Sequence, residues 1–281
     1  MKNLLFLSII LLVSTQIFGQ KLSKFPFEVT KNGNGNQSIL FIPGFASSGA
    51  VWDETVKIYR DKYTCYTLTM AGFAGVKPEP EPSFKKWKIE IANFIKEEKI
   101  ESPILIGHSM GGGLAMAIAA DYPELVQKII IVDALPCLAA LTNPNFEQQE
   151  NLDCSASIKQ IMAMSDDQFY QMQKSTIPRL TTNQEIIEDI MDWSVKSDRK
   201  TFAKMYCNFS NTDLRQKIEN IQCPTLVLLE SHFKNFKPAI EEQYKNLKTA
   251  NLKYANKGLH FIMYDNKEWY FDQLANYLNK D

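Results

Sequence analysis

The stretch ILIGHSMGGGLAMAIAA, residues 104–120, leaves the chain few options. An apolar, β-branched run gives way within one residue to small helix formers, and a single serine, Ser109, stands at the change with glycines two positions to either side. A strand that turns into a helix this abruptly crowds its own backbone, so Gly107 and Gly111 are the residues the turn requires. The pattern predicts a buried strand over PILI, a helix over GGLAMAIAA, and a serine hydroxyl presented at the tip of a strained turn, as a nucleophile needs. The plainer alternative is a glycine-rich turn in which Ser109 only caps the helix.

Around this segment, short apolar runs alternate with helical patterns: SILFIP, YTCYTLTM, the amphipathic FKKWKIEIANFIKEEK, PILIG, then KIIIVD. Strands spaced by helices imply a parallel sheet with crossover helices. From about 136 to 220 the rhythm changes to helical stretches without a convincing strand, and strands resume with PTLVLLE and NLKYA before a last helix, KEWYFDQLANYLNK. We therefore expect an α/β core over 21–135 and 221–281, a mostly parallel central sheet flanked by helices, with a helical cap inserted at 136–220. With 281 residues, 45% of them hydrophobic, the chain can build a full core. PEPEP at 78–82 reads as a stiff surface linker.

The first twenty residues read separately. Lys2, the apolar run LLFLSIILLV and the polar segment after it match a secretory signal peptide with cleavage near Gly19 or Gln20, which implies a periplasmic or secreted protein. The run is short for a membrane span, and no cysteine near the cleavage site offers a lipid anchor, so no stable membrane anchor is expected. Losing Lys2 takes the formal net charge from −1 to −2, with both signs interspersed, which points away from nucleic acid or a membrane surface as partner. Five cysteines at irregular spacing, Cys65, Cys137, Cys154, Cys207 and Cys223, form no CxxC pair, and no metal site or cofactor is expected. Buried free thiols are favoured, and if a disulfide forms, Cys137 with Cys154 is the expected pair.

A serine nucleophile needs a base, and the chain has three histidines. His108 adjoins Ser109 and is expected to point away across the turn; His232 follows PTLVLLE; His260 lies in KGLHFIM, just before the last helix. In the order serine, acid, histidine, the late His260 fits the base.

On GHSMGG followed by a late histidine, and from SILFIPGF through IVDALP to HFIMYD, the chain resembles the α/β-hydrolase superfamily in its capped, esterase-like branch. The resemblance implies an α/β-hydrolase fold, a Ser-His-Asp triad and an acyl-enzyme. Where the family commonly has His-Gly, this chain has Pro43-Gly44; the oxyanion donors would still be the amides of Phe45 and Met110. The loop after TLVLL, where members often carry the acid, reads ESHFKNFKP and has no aspartate. Asp133, at the end of KIIIV, is therefore assigned as the acid, as in certain haloalkane dehalogenases, with Glu230 in reserve.

The expected activity is carboxylic ester hydrolysis on a small-molecule substrate. A lactonase, a carbon–carbon bond hydrolase or a perhydrolase would use the same triad, and a non-catalytic ligand-binding protein could keep the same fold. Met162, Met164, Met172, Met191 and Met205, with Phe146, Phe169, Trp193 and Phe202, suggest either an adaptable apolar lid or the inner face of a small helical subdomain. MAGFAG, 70–75, is expected to border the acyl site or to be a plain turn. Intact-mass analysis of the native protein should find a chain starting near Gln20 or Lys21 without lipid; a retained Met1 on a cytoplasmic protein would refute the N-terminal reading.

Overall fold

The computed structural model describes residues 24–279; the signal-peptide segment lies outside the described residues. In chain order the elements are β1 (Phe27–Asn32), β2 (Gln37–Ile42), α1 (Asp53–Tyr59), β3 (Tyr63–Met70), α2 (Phe84–Glu97), β4 (Ile104–His108), α3 (Met110–Asp121) and β5 (Lys128–Val132). Four helices follow, α4 (Ser155–Met162), α5 (Asp166–Thr176), α6 (Gln184–Val195) and α7 (Arg199–Ser210). The chain then returns through β6 (Thr225–Leu229), α8 (Lys237–Tyr244), β7 (Ala250–Tyr254), α9 (Ile262–Asp265) and α10 (Lys267–Leu278).

The seven strands form one sheet in the order β1-β3-β2-β4-β5-β6-β7, parallel except for β1, which runs antiparallel to β3. β4, β5 and β6 are almost continuously apolar and nearly wholly buried because helices cover both faces of the sheet. Alternate side chains divide between two cores. Leu40, Ile42, Leu105, Ile129, Ile131 and Val227 pack on one side with α2 and α3; Ile39, Phe41, Ile106, Ile130, Val132 and Leu228 pack on the other with Trp52, Tyr270 and Leu274. Eleven of the twelve α3 residues are buried, which is why that helix is apolar all round and rich in alanine. α2 keeps one wet face; Ser83 caps it by accepting from the Lys86 amide at 3.1 Å.

β1 was not expected. Phe27 alone of its residues is buried, so the strand carries almost no apolar signal; its place comes from pairing with β3 along the full length of β1.

Among the described residues the disulfide is Cys154–Cys207, not Cys137–Cys154. The packing of α4 against α7 brings together two cysteines 53 positions apart, while Cys65, Cys137 and Cys223 remain buried thiols. Closing a loop of that length restricts the unfolded chain by about 4 kcal/mol in the chain-entropy model. The double variant Cys154→Ser/Cys207→Ser should lose up to about that much stability in denaturant titrations, with hydrogen exchange accelerating first in α4 and α7.

Candidate active site

Ser109 occupies the turn between β4 and α3 with φ 53° and ψ −121°, a left-handed conformation unusual for any residue but glycine. Its amide donates to the Val132 carbonyl at 2.9 Å and its carbonyl accepts from Gly113 at 3.1 Å. The flanking glycines are required sterically. A Cβ at Gly107 would fall 2.2 Å from the Gly111 oxygen, and one at Gly111 would fall 2.3 Å from the Ile42 oxygen.

Asp133 stands at the equivalent end of the neighbouring strand, also left-handed at φ 49°, with its amide on the Leu228 carbonyl at 2.7 Å. Its side chain is fully buried. One carboxylate oxygen accepts from His260 Nδ1 at 2.7 Å and the other from the Glu230 amide at 2.6 Å. Burial pushes the carboxyl up from the ordinary range, and the His260 and Glu230 hydrogen bonds work against that rise. His260 sits in the loop between β7 and α9, its side chain about a quarter exposed. The two candidate acids thus separate: Asp133 meets the imidazole with its carboxylate, whereas Glu230 supports Asp133 through its backbone.

His108 does not point away. Fully buried, it bonds through Nε2 to the His260 carbonyl at 3.0 Å, and the two rings lie 4.6 Å apart. Burial, then the neighbouring His260, holds its imidazole well below the usual histidine range. His232 lines the same cavity but makes no hydrogen bond to the Asp133–His260 pair.

Phe45 lines the same cavity as Ser109, and Met110 follows Ser109 in the chain. Met110 is the first residue of α3, and neither its amide nor that of Phe45 donates to a protein acceptor among the described residues. The Phe45 ring is held by Phe73, Phe202 and Tyr206 at 5.2, 4.6 and 5.6 Å. That contact explains MAGFAG: its Phe73 buttresses Phe45, while Gly72 and Ala74 hold the α6–α7 junction through Asp198 and Ser197, and none of the six lines the cavity.

Ser109, Asp133 and His260 all line one cavity of about 650 Å³. Its other walls include Leu135, Ile177, Leu180, Ile190, Phe202 and Phe209. Of the five methionines considered for a lid only Met172 lines it; Met205 is buried in the core and Met162 is exposed. Among the described residues no three His, Cys, Asp or Glu side chains form a metal-binding group, and no helix is long and apolar enough to cross a membrane.

One organising residue went unread in the sequence. Asp265 accepts from the Leu259 amide at 2.7 Å, from Thr181 Oγ1 at 2.6 Å and from the Thr182 and Asn183 amides at 2.9 and 3.1 Å. It ties the His260 loop to the start of α6, and nothing in HFIMYD marks that role.

The α/β-hydrolase fold family model matches residues 37–157, which spans β2 through the elbow to the start of α4. The chain has the α/β-hydrolase fold, and this match supports the α/β-hydrolase superfamily. It is 24% identical to a pimeloyl-[acyl-carrier protein] methyl ester esterase of Wigglesworthia glossinidia brevipalpis, over 69% of this chain and 74% of that one. Among solved structures it resembles the enol-lactonase from Burkholderia xenovorans LB400, with TM-score 0.74, 15% identity, and 90% of this chain and 96% of the other covered. A thermophilic esterase from Thermogutta terrifontis matches with TM-score 0.73, 17% identity, and 90% and 92% covered. The first is named an esterase, the second an enol-lactonase and the third an esterase; in this chain Ser109, Asp133 and His260 line one cavity.

Glu230 gives the site a pH signature. Burial first, then the Asp133 charge, pushes its carboxyl from 4.5 up to about 7. The folded chain therefore keeps a proton that the unfolded chain has already released, and stability falls as pH rises from about 4.5 through about 7. Glu230→Gln should flatten that fall, as seen in melting temperatures followed across the window.

Proposed function

We propose that the protein is a serine hydrolase of carboxylic esters, acting through an acyl-enzyme with Ser109 as nucleophile, His260 as base and Asp133 as the acid. The observation that carries this reading is the 2.7 Å bond from His260 Nδ1 to a fully buried Asp133 carboxylate, on the cavity that a strained Ser109 also lines.

With Nδ1 committed to Asp133, the imidazole turns Nε2 to the serine hydroxyl. Nε2 takes the hydroxyl proton as Oγ attacks the ester carbonyl carbon, and the Asp133 charge stabilises the imidazolium that forms. The tetrahedral oxyanion is met by the free amides of Phe45 and Met110, which need no rearrangement to receive it. His260 then passes its proton to the departing alcohol, and a water deprotonated by the same nitrogen releases the acid and regenerates Ser109. No metal or cofactor enters these steps.

In the same reading, residues 136–220 act as a cap over the cavity: α5 and α6 supply Met172, Thr176 and Ile190, and α7 supplies Phe202 and Tyr206. A periplasmic or secreted location is supported by the N-terminal sequence and by the Cys154–Cys207 disulfide, a bond suited to an oxidising compartment.

A fluorophosphonate should label the folded protein at Ser109 and fail to label Ser109→Ala. Asp133→Asn keeps shape and removes charge, so kcat on a short-chain p-nitrophenyl ester should fall by up to about 10⁴-fold, while Glu230→Gln stays within about tenfold. Loss of activity in Glu230→Gln with Asp133→Asn near wild type would overturn the acid assignment; an unlabelled, folded wild type would overturn the nucleophile.

A further inference from the structure

The cap side of the cavity holds polar groups that the hydrolysis steps leave unused. Gln173 on α5 and Ser194 on α6 both line the cavity, although only 5% and 4% of their surfaces are exposed. Ser194 Oγ donates to Gln173 Oε1 at 2.9 Å, which fixes the amide and leaves its nitrogen with no hydrogen-bond partner among the described residues. That nitrogen is free for an acceptor in the cavity, whose lining also includes Ile177, Ile190 and Phe202.

Six residues on, Arg179 lies in the 3-10 turn Ile177–Arg179 that follows α5. It is the only lysine or arginine among the described residues lining the cavity, and its guanidinium makes no ion pair or hydrogen bond with another described residue. Its side chain is solvent-exposed at the cavity, while its backbone is anchored. The next residue, Leu180, accepts from the Phe261 amide at 3.1 Å, and Thr181 is held by Asp265, so the Arg179 backbone is tied to the loop that carries His260. The acids lining the cavity, Asp133 and Glu230, enter from the strand ends; the unused donors enter from the cap.

We propose that Gln173, oriented by Ser194, and Arg179 form a subsite for a carboxylate, and that the substrates this hydrolase prefers are esters whose acyl chain ends in a carboxylate. The inference rests on the ester-hydrolase reading above and adds to it the chemical class of the acyl group. A planar guanidinium and a primary amide both present N–H donors suited to carboxylate oxygens, while the apolar walls of the same cavity fit the methylenes of the chain.

The test is a set of matched substrates: monomethyl glutarate, adipate, pimelate and suberate, each beside the methyl alkanoate of equal chain length. At its best length the wild type should favour the half-ester by about tenfold or more in kcat/KM, mainly through KM, the span of one charge-assisted hydrogen bond. Arg179→Ala and Gln173→Leu should each lower that preference about tenfold, and Arg179→Lys should restore most of it. Preference for the alkanoate at every length, or a ratio that neither variant changes, overturns the subsite while leaving esterase activity intact. If no ester is turned over and Ser109 takes no fluorophosphonate, the hydrolase reading falls, and calorimetry with the Ser109→Ala protein decides the subsite alone. Half-ester binding that Arg179→Ala weakens about tenfold supports it; the absence of binding refutes it.

Discussion

Two neighbouring parallel strands, β4 and β5, each end in a residue forced into left-handed backbone, and the site depends on that pair. Ser109 and Asp133 leave the sheet in step: the Ser109 amide bonds to the last residue of β5, and the Asp133 amide bonds to Leu228 in β6. Each anchor is a sheet-like hydrogen bond made beyond the last regular pair, so the sheet register fixes the spacing between hydroxyl and carboxylate. Strain of this kind is of order 1–3 kcal/mol per residue, and it persists where the surrounding packing leaves no alternative. Here the packing is the contact of Gly107 with Gly111, the contact of Gly111 with β2, and the burial of α3.

The histidine has no such scaffold and is held from several sides. Asp133 takes its Nδ1, His108 takes its carbonyl, Asp265 takes the amide of Leu259, and Leu180, just before α6, takes the amide of Phe261. These tethers come from β4, β5, α9 and the 136–220 segment, so the His260 loop is set by the assembled domain. They also couple α6 to the imidazole, since Asp265 and Leu180 join the start of α6 to the loop that presents His260. A low-dielectric setting strengthens such bonds and penalises any that is left unmade.

Electrostatically the cavity is graded. Buried Asp133 and partly buried Glu230 line it from the strand ends, with Asp133 satisfied by His260 and the Glu230 amide, while Gln173 and Arg179 line it from α5 and the turn after it. The aromatic cluster of Phe45, Phe73, Phe202 and Tyr206 packs around the turn that carries Phe45. One set of rings thus supports the Phe45 turn, closes part of the cavity and binds α7 to the core.

By itself the sequence determined the elbow and the sheet. Gly107, Ser109 and Gly111 are close neighbours in the chain, and their steric requirement can be read without tertiary information; the buried runs of β4, β5 and β6 likewise declare themselves by composition. Asp133 and His260 were legible as candidates because each follows an identifiable strand. Tertiary structure decided the rest. β1 is an edge strand with one buried residue and is defined only by its partner; Cys207 meets Cys154 because α4 packs on α7; His108 turns toward His260; and Asp265 acquires its four donors from segments far apart in sequence. Each of these is a contact between chain segments whose proximity depends on loop paths and helix packing, and residue order carries no periodic or steric signal for such proximity.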